Sequence, residues 1–353
     1  MASATSVIQQ SWATINNEDI FKRGKAVYGV HDDRFIVVGG GIARENGTID
    51  VRPMISVVMF DISTQTYLSL PDLPFPGTEQ SVILNGYLYI RSMNEIYRMC
   101  LSSRSEWEHL AHDDQSFGFN IISNGKYIFI IYMHGGMVRY DPEDNEFMQL
   151  AQIPTTRLDH VSVLLENKIY IIGGRTHGGQ THCSTVEVFD IDTQAWSEAP
   201  PLPKEIAQAS ATVFKKWIII NGGLTTHTGS GYNDETFMFD TCAQKWIQSD
   251  QMLSPPRRLH RCVIVGSQLI SIGGVDEWYK FCPMEAIHIK YLIPSWKWEI
   301  IKDFVLLRQL VDAGRAHPII IISDESKKID QVMQKMITET VLDVFRTVLS
   351  FLI

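Results

Sequence analysis

One short pattern recurs along this chain and limits what it can fold into. Residues 34–40 read RFIVVGG, residues 169–174 IYIIGG, residues 217–223 WIIINGG and residues 268–274 QLISIGG. Downstream of these runs, an apolar or aromatic residue is followed seven places later by a large aromatic. The pairs are Phe60/Tyr67, Tyr140/Phe147, Phe189/Trp196, Phe239/Trp246 and Tyr291/Trp298, with Cys100/Trp107 as a degenerate sixth. Asp61, Asp141, Asp190 and Asp240 follow the first member in four copies, and Leu101 and Leu292 stand there in the other two. The copies begin roughly every 40–50 residues, the spacing of propeller-type repeats.

The copy at residues 158–203 shows the unit most clearly. Three short apolar runs, 161–165, 169–172 and 186–189, and a fourth around Trp196 are separated by turn residues. This spacing predicts four short antiparallel strands. Such a sheet is apolar on both faces, cannot bury itself alone and needs copies on each side. Each marker has a structural role. Glycines closing a strand let backbones approach closely. Aromatics seven apart meet on adjacent strands of a hairpin. The Asp caps the hairpin turn through its own side chain. Residues 87–92 (YLYIRS) and 127–132 (YIFIIY) lack the glycines but keep the flanking signals, and read as worn copies.

The double glycine, the aromatic, the spacing and the following Trp resemble the kelch repeat over about residues 10 to 303. The resemblance implies an all-β, six-bladed kelch β-propeller, like the central domain of galactose oxidase, with seven blades as the alternative. Its blade markers are Gly39, Gly40, Gly173, Gly174, Gly222, Gly223, Gly273, Gly274, Tyr67, Trp107, Phe147, Trp196, Trp246 and Trp298. The domain reading is a loose tail over residues 1–9, the propeller over 10–303 and a mostly helical extension over 304–353. The strand near Trp12 is expected to complete the blade built by the C-terminal part, because closure removes a free sheet edge. In the extension, Asp303 can cap a helix over 304–313. Residues 329–352 carry an apolar helical stripe suited to packing across the propeller or to self-association. The seven-bladed alternative makes strands of 305–307, 318–322 and 329–333 instead.

Composition narrows the function classes. A net charge of −9 over 353 residues argues against nonspecific nucleic-acid binding, and no basic cluster offsets it. Five scattered cysteines without a CxxC fit a reduced interior, so the expectation is cytoplasmic, with nuclear as the alternative. No signal peptide and no apolar run long enough for a spanning helix is read, so no membrane is expected. No segment resembling a BTB or F-box region is read ahead of the first blade near residue 25.

Enzyme chemistry needs a constellation, and no G-x-S-x-G elbow, Walker loop or HExxH occurs. His177, His182, Cys183 and His227 lie in two long loops that could converge on zinc or iron, but no preorganising spacing supports it. Neither a metal nor a cofactor is expected. His160 and His260 recur at inner-strand starts and read as packing near the channel. Some kelch proteins are enzymes, namely secreted copper oxidases, sugar epimerases and iron-using plant specifier proteins. Neither the oxidase tyrosine/histidine/cysteine set nor the specifier loop maps onto this chain.

The family's usual role is protein recognition, sometimes as a ubiquitin-ligase substrate receptor. Arg23, Arg157, Arg257 and Arg258 follow its pattern of an arginine between blades, from which Glu79 and Lys204 depart. The expectation is therefore a partner protein or acidic peptide on the loop face. Arg157 and Arg258 would be the charge-assisted donors, with Arg44, His177, His227 and Tyr232 as loop contacts. A small-molecule enzyme of the sugar-epimerase or metal-assisted kind is the alternative, and an architectural, cytoskeleton-binding module a third reading.

Overall fold

A computed structural model describes residues 13–16, 23–44, 51–76, 80–92, 94–115, 118–176, 181–225 and 231–292. Among them are six four-stranded antiparallel sheets. Blade four is typical: Val161–Leu165, Lys168–Ile172, Val186–Asp190 and Ala195–Ala199 pair in chain order. The first strands of neighbouring blades touch all the way round, including Val27–His31 of blade one against Arg261–Val265 of blade six. The six sheets thus form a closed ring around a central channel.

The ring closes as the sequence suggests. Strand Ala13–Asn16 pairs with Met284–His288 and supplies the outer strand of blade six. Residues from both ends of the described chain therefore share one sheet, and that blade has no unpaired outer edge.

Six hydrophobic clusters hold the ring, one between each pair of neighbouring blades. The period-2 alternation of a strand explains why both faces are apolar. In Lys168–Ile172, Ile169 and Ile171 pack toward blade three, while Tyr170 and Ile172 pack toward blade five. Each such side chain, fully buried, contributes roughly 1.5–3 kcal/mol.

The turn markers act as their chemistry requires. Asp190 Oδ1 accepts the amides of Asp192 and Thr193, and Asp240 Oδ1 those of Cys242 and Ala243. Phe60/Tyr67, Tyr140/Phe147, Phe189/Trp196 and Phe239/Trp246 are direct cross-strand partners. Outer-strand tryptophans also fasten neighbouring blades. The indole N–H of Trp246 donates to Pro200 O at 2.8 Å, and that of Trp107 to Pro71 O at 3.3 Å.

Several markers sit differently from expectation. In blade one the left-handed pair is Gly40-Gly41, at φ 61° and 74°, because Gly39 still belongs to the strand Phe35–Gly39. In blade six the position of Phe189 is taken by Ile287, which lies opposite Leu269 as Phe189 lies opposite Ile169. Tyr291 falls in a 3-10 turn, Ile289–Leu292, and the fourth strand comes from the N-terminal side. In blade two Met99 rather than Cys100 holds that position. The glycine-less junction between blades two and three is filled by a buried network. Arg91 donates to Asp113 at 2.9 Å and to Gln115 O at 2.7 Å, and the Tyr132 hydroxyl donates to Asp113. Trp298 and the helical and strand readings beyond residue 303 lie outside the described residues.

Candidate functional site

The junction arginines were the leading site candidates, and the fold divides them into two groups. Arg23, Arg157 and Arg257 occupy equivalent places and are 1%, 2% and 0% exposed. Each points into its blade. Arg157 donates to Glu187 Oε2 at 2.6 Å, to Ile171 O at 3.2 Å and to the Thr185 hydroxyl. Arg257 donates to Glu285, to Pro283 O at 2.8 Å and to Gly273 O at 3.3 Å. Arg23 reaches Ser56 and Gly40 O. These guanidiniums satisfy carbonyls around the double-glycine turns, so Arg157 braces its blade and does not present a donor at the surface. Burial holds the Arg157 pKa below its ordinary value, partly offset by Glu187.

Arg258 is one residue out of this register, which turns it onto the loop face. Its Nε donates to the Tyr232 hydroxyl at 3.1 Å and its Nη1 to Gln208 Oε1 at 2.8 Å. The guanidinium carbon lies 5.8 Å from the Tyr232 ring centre and 5.6 Å from that of Tyr279. Gln208 donates onward to Asp159 at 3.0 Å, and Asp159 pairs with Arg175 at 2.6 Å. A polar ladder therefore crosses blades four, five and six at the channel mouth.

The backbone beneath this ladder is unusual. Lys25, Asp159, Gln208 and Leu259, each just ahead of an inner strand, all have φ between 52° and 58°. They are chained by amides: Gln208 N donates to Asp159 O, Leu259 N to Gln208 O, and Lys25 N to Leu259 O. A left-handed leucine costs about 1–2 kcal/mol. The inter-blade hydrogen bonds hold it there, and such strain is characteristic of rims where side chains are aimed.

Tyr279, beside Arg258, and its chain neighbour Trp278 are the most exposed aromatics of the described surface, at 56% and 70%. Their loop is tied down by Asp276 Oδ1, which accepts the amides of Trp278 and Lys280 at 2.9 and 2.8 Å. Exposed aromatics on a pinned turn, next to a half-buried arginine, have the composition of a binding hot spot.

The histidines at the inner-strand starts are buried. His160 Nδ1 lies 3.2 Å from Arg157 O, and His260 Nε2 lies 3.0 Å from Asn221 Oδ1. Burial first, and then Arg157, push the His160 pKa down to about 4. Burial, Arg257 and Arg261 hold His260 well below the usual imidazole range. Both are neutral near pH 7 and fit the packing role.

The remaining candidates are dispersed. Tyr232 is in the cluster. Arg44 lies in a two-stranded excursion, Ile42–Arg44 with Val51–Pro53. His177 and His227 lie outside the described residues. His182 is buried and bridges to Arg175, and Cys183 N donates to Gly174 O. Among the described residues no three histidine, cysteine or acidic side chains come close enough to hold a metal.

Sequence reasoning passed over Trp278, Tyr279, Gln208 and Asp159. The loop WYKFCP carried a usable signal, since two adjacent large aromatics outside any strand are poorly explained by packing. Gln208 and Asp159 carried none, because only the closed ring makes them neighbours.

Comparison with known proteins agrees with this architecture. Residues 134–274 match the family model described as the KLHDC2/KLHL20/DRC7 Kelch-repeats domain. Kelch-like protein 36 of Bos taurus is 28% identical over 141 residues, 40% of this chain and 22% of the relative. An F-box/kelch-repeat protein of Arabidopsis thaliana is 25% identical over 181 residues, 50% and 36% of the two chains. Kelch domain-containing protein 3 of Homo sapiens is 28% identical over 129 residues, 33% and 34%. The match thus spans only about a fifth to a third of these relatives. The solved structure of YjhT shares the fold, with a TM-score of 0.62 at 15% identity over 77% of this chain and 96% of that one.

Proposed function

Starting from the kelch-repeat β-propeller, the family to which this chain belongs, we propose that the loop face of blades four to six is a protein-docking surface for an acidic peptide segment of a partner. The observation that carries this reading is the grouping of Arg258, Tyr232, Trp278 and Tyr279 at the channel mouth. Tyr232 and Gln208 use two of the guanidinium's nitrogens and fix its orientation. Its Nη2 has no protein partner among the described residues and can donate to a carboxylate. The aromatic pair supplies apolar area at low entropic cost, since each ring has only two side-chain torsions.

We read the chain as a binding module rather than an enzyme. The buried histidines serve as packing and hydrogen-bonding groups, His260 sharing Asn221 Oδ1 with the buried Cys262 thiol, whereas the rim residues are arranged for contact. Its kelch-like and F-box/kelch-repeat relatives favour a finer reading, that of a substrate receptor serving ubiquitin ligation.

The test is affinity capture followed by mass spectrometry, comparing the wild type with Arg258→Ala and Trp278→Ala. Hot-spot truncations cost about 2 kcal/mol or more, or roughly thirtyfold in affinity. Specific partners should therefore be lost while the melting temperature changes little. Undiminished capture by both variants rejects this surface.

A further inference from the structure

The six innermost strands are Val27–His31, Gln80–Leu84, Gly118–Ser123, Val161–Leu165, Ser210–Phe214 and Arg261–Val265. Across all of them there is one Asp, Glu, Lys or Arg, namely Arg261. Val27, Val161 and Ser210 occupy the same register position in their blades, opposite Gly39, Ile172 and Asn221, as Arg261 lies opposite Ile272. Those residues are buried, whereas Arg261 is only half-buried and lines the channel. Packing does not require a cation there, since valine or serine serves in blades one, four and five, and the uncharged Gln80 in blade two.

The Arg261 guanidinium has no hydrogen bond and no ion pair among the described residues, in contrast to those of Arg23, Arg157 and Arg257. Together with Asn120, Arg261 lines two neighbouring spaces. One opens to the mouth past Lys25, Asp159, Gln208 and Leu259. The other runs deeper, past Ser81, Ser162, Ala211 and Val263. The acidic residue lining that mouth, Asp159, is engaged by Arg175 and Gln208. Ser162 accepts the Asn120 amide at 2.6 Å, which leaves its hydroxyl proton to donate elsewhere. A cation in a narrow, low-dielectric passage attracts a counter-anion more strongly than one on an open surface.

We propose that the central channel is a binding site for a single carboxylate, with Arg261 as its cation and Ser162 as a neutral donor. This site does not depend on partner docking at the rim. A free small carboxylate and the side-chain carboxylate of an inserted peptide offer the same chemistry.

The test is calorimetric titration of the full chain at constant ionic strength with sodium acetate and, separately, with N-acetylglutamic acid α-amide. Saturable binding of either, weakened about tenfold or more by Arg261→Met and retained in Arg258→Ala, supports the site. The tighter of the two probes says whether the anion is free or peptide-borne. Absence of saturable binding by both probes, or equal binding by Arg261→Met, overturns the proposal. Should that variant not fold, phenylglyoxal modification of wild-type Arg261, mapped by mass spectrometry, decides instead. Slowing by acetate supports the site, and an unchanged rate overturns it. Because Arg258→Ala is expected to impair partner capture but not acetate binding, failure at the rim and failure in the channel are distinguishable.

Discussion

Replacing Arg157 by Met distinguishes a bracing arginine from a docking one. Its side chain and that of Glu187 are 0% and 6% exposed, and their 2.6 Å contact is supported by Thr185 and Ile171 O. Removing the guanidinium leaves the Glu187 carboxylate buried without its donor and takes a hydrogen bond from the Thr185 hydroxyl and from Ile171 O. Breaking a buried pair on one side costs about 3–5 kcal/mol. For a chain of 353 residues, 1 kcal/mol corresponds to roughly 1.5 °C in melting temperature, so Arg157→Met should lower it by about 4–8 °C. The double variant Arg157→Met/Glu187→Met should recover much of the loss, because an apolar pair of similar volume removes the stranded charge. Arg258→Met, at the rim, should shift melting by only about 1–2 °C. Calorimetry on the four proteins supplies the numbers. If Arg157→Met melts with the wild type and instead loses its partner, the bracing role is wrong.

Two further perturbations follow from the same geometry. His160 has a folded pKa of about 4 against about 6.5 unfolded, so the unfolded chain takes up a proton first as pH falls. Stability is full above about pH 6.5 and declines toward pH 4, by about 3 kcal/mol at most from this residue. His260 acts in the same direction. Urea midpoints from pH 7 to 4.5 should fall for the wild type and fall less steeply for His160→Gln, and parallel curves would count against the assignment. At Gly223, φ is 95° and an added Cβ would meet Ala207 O at 2.6 Å. Gly223→Ala should cost more than the 1–2 kcal/mol of the left-handed backbone alone, and a melting temperature equal to the wild type's would contradict this.

What the sequence determined was the module and how often it recurs. Alternating apolar strands, turn-capping Asp190 and Asp240 and the aromatic pairs are all local, and each is set by residues within one hairpin. The propeller was therefore readable before any coordinates, as was the need for the N-terminal strand to complete the last blade. Register was less legible where local spacing changes. A third glycine in blade one and the shorter loop of blade six each moved a marker, because a linear motif cannot register a change in loop length.

Tertiary structure alone decided which arginine does what. Arg257 and Arg258 are adjacent and chemically identical, yet one is fully buried against Glu285 and the other faces Tyr232 and Tyr279. A strand turns successive side chains to opposite sides, so one residue of register separates a brace from a ligand-facing donor. The rim ladder from Arg175 to Arg258, and the placing of Arg261, the one charged residue of the innermost strands, against the channel, exist only because the ring closes. Closure joins residues that are tens of positions apart in the chain, and no local pattern records that proximity.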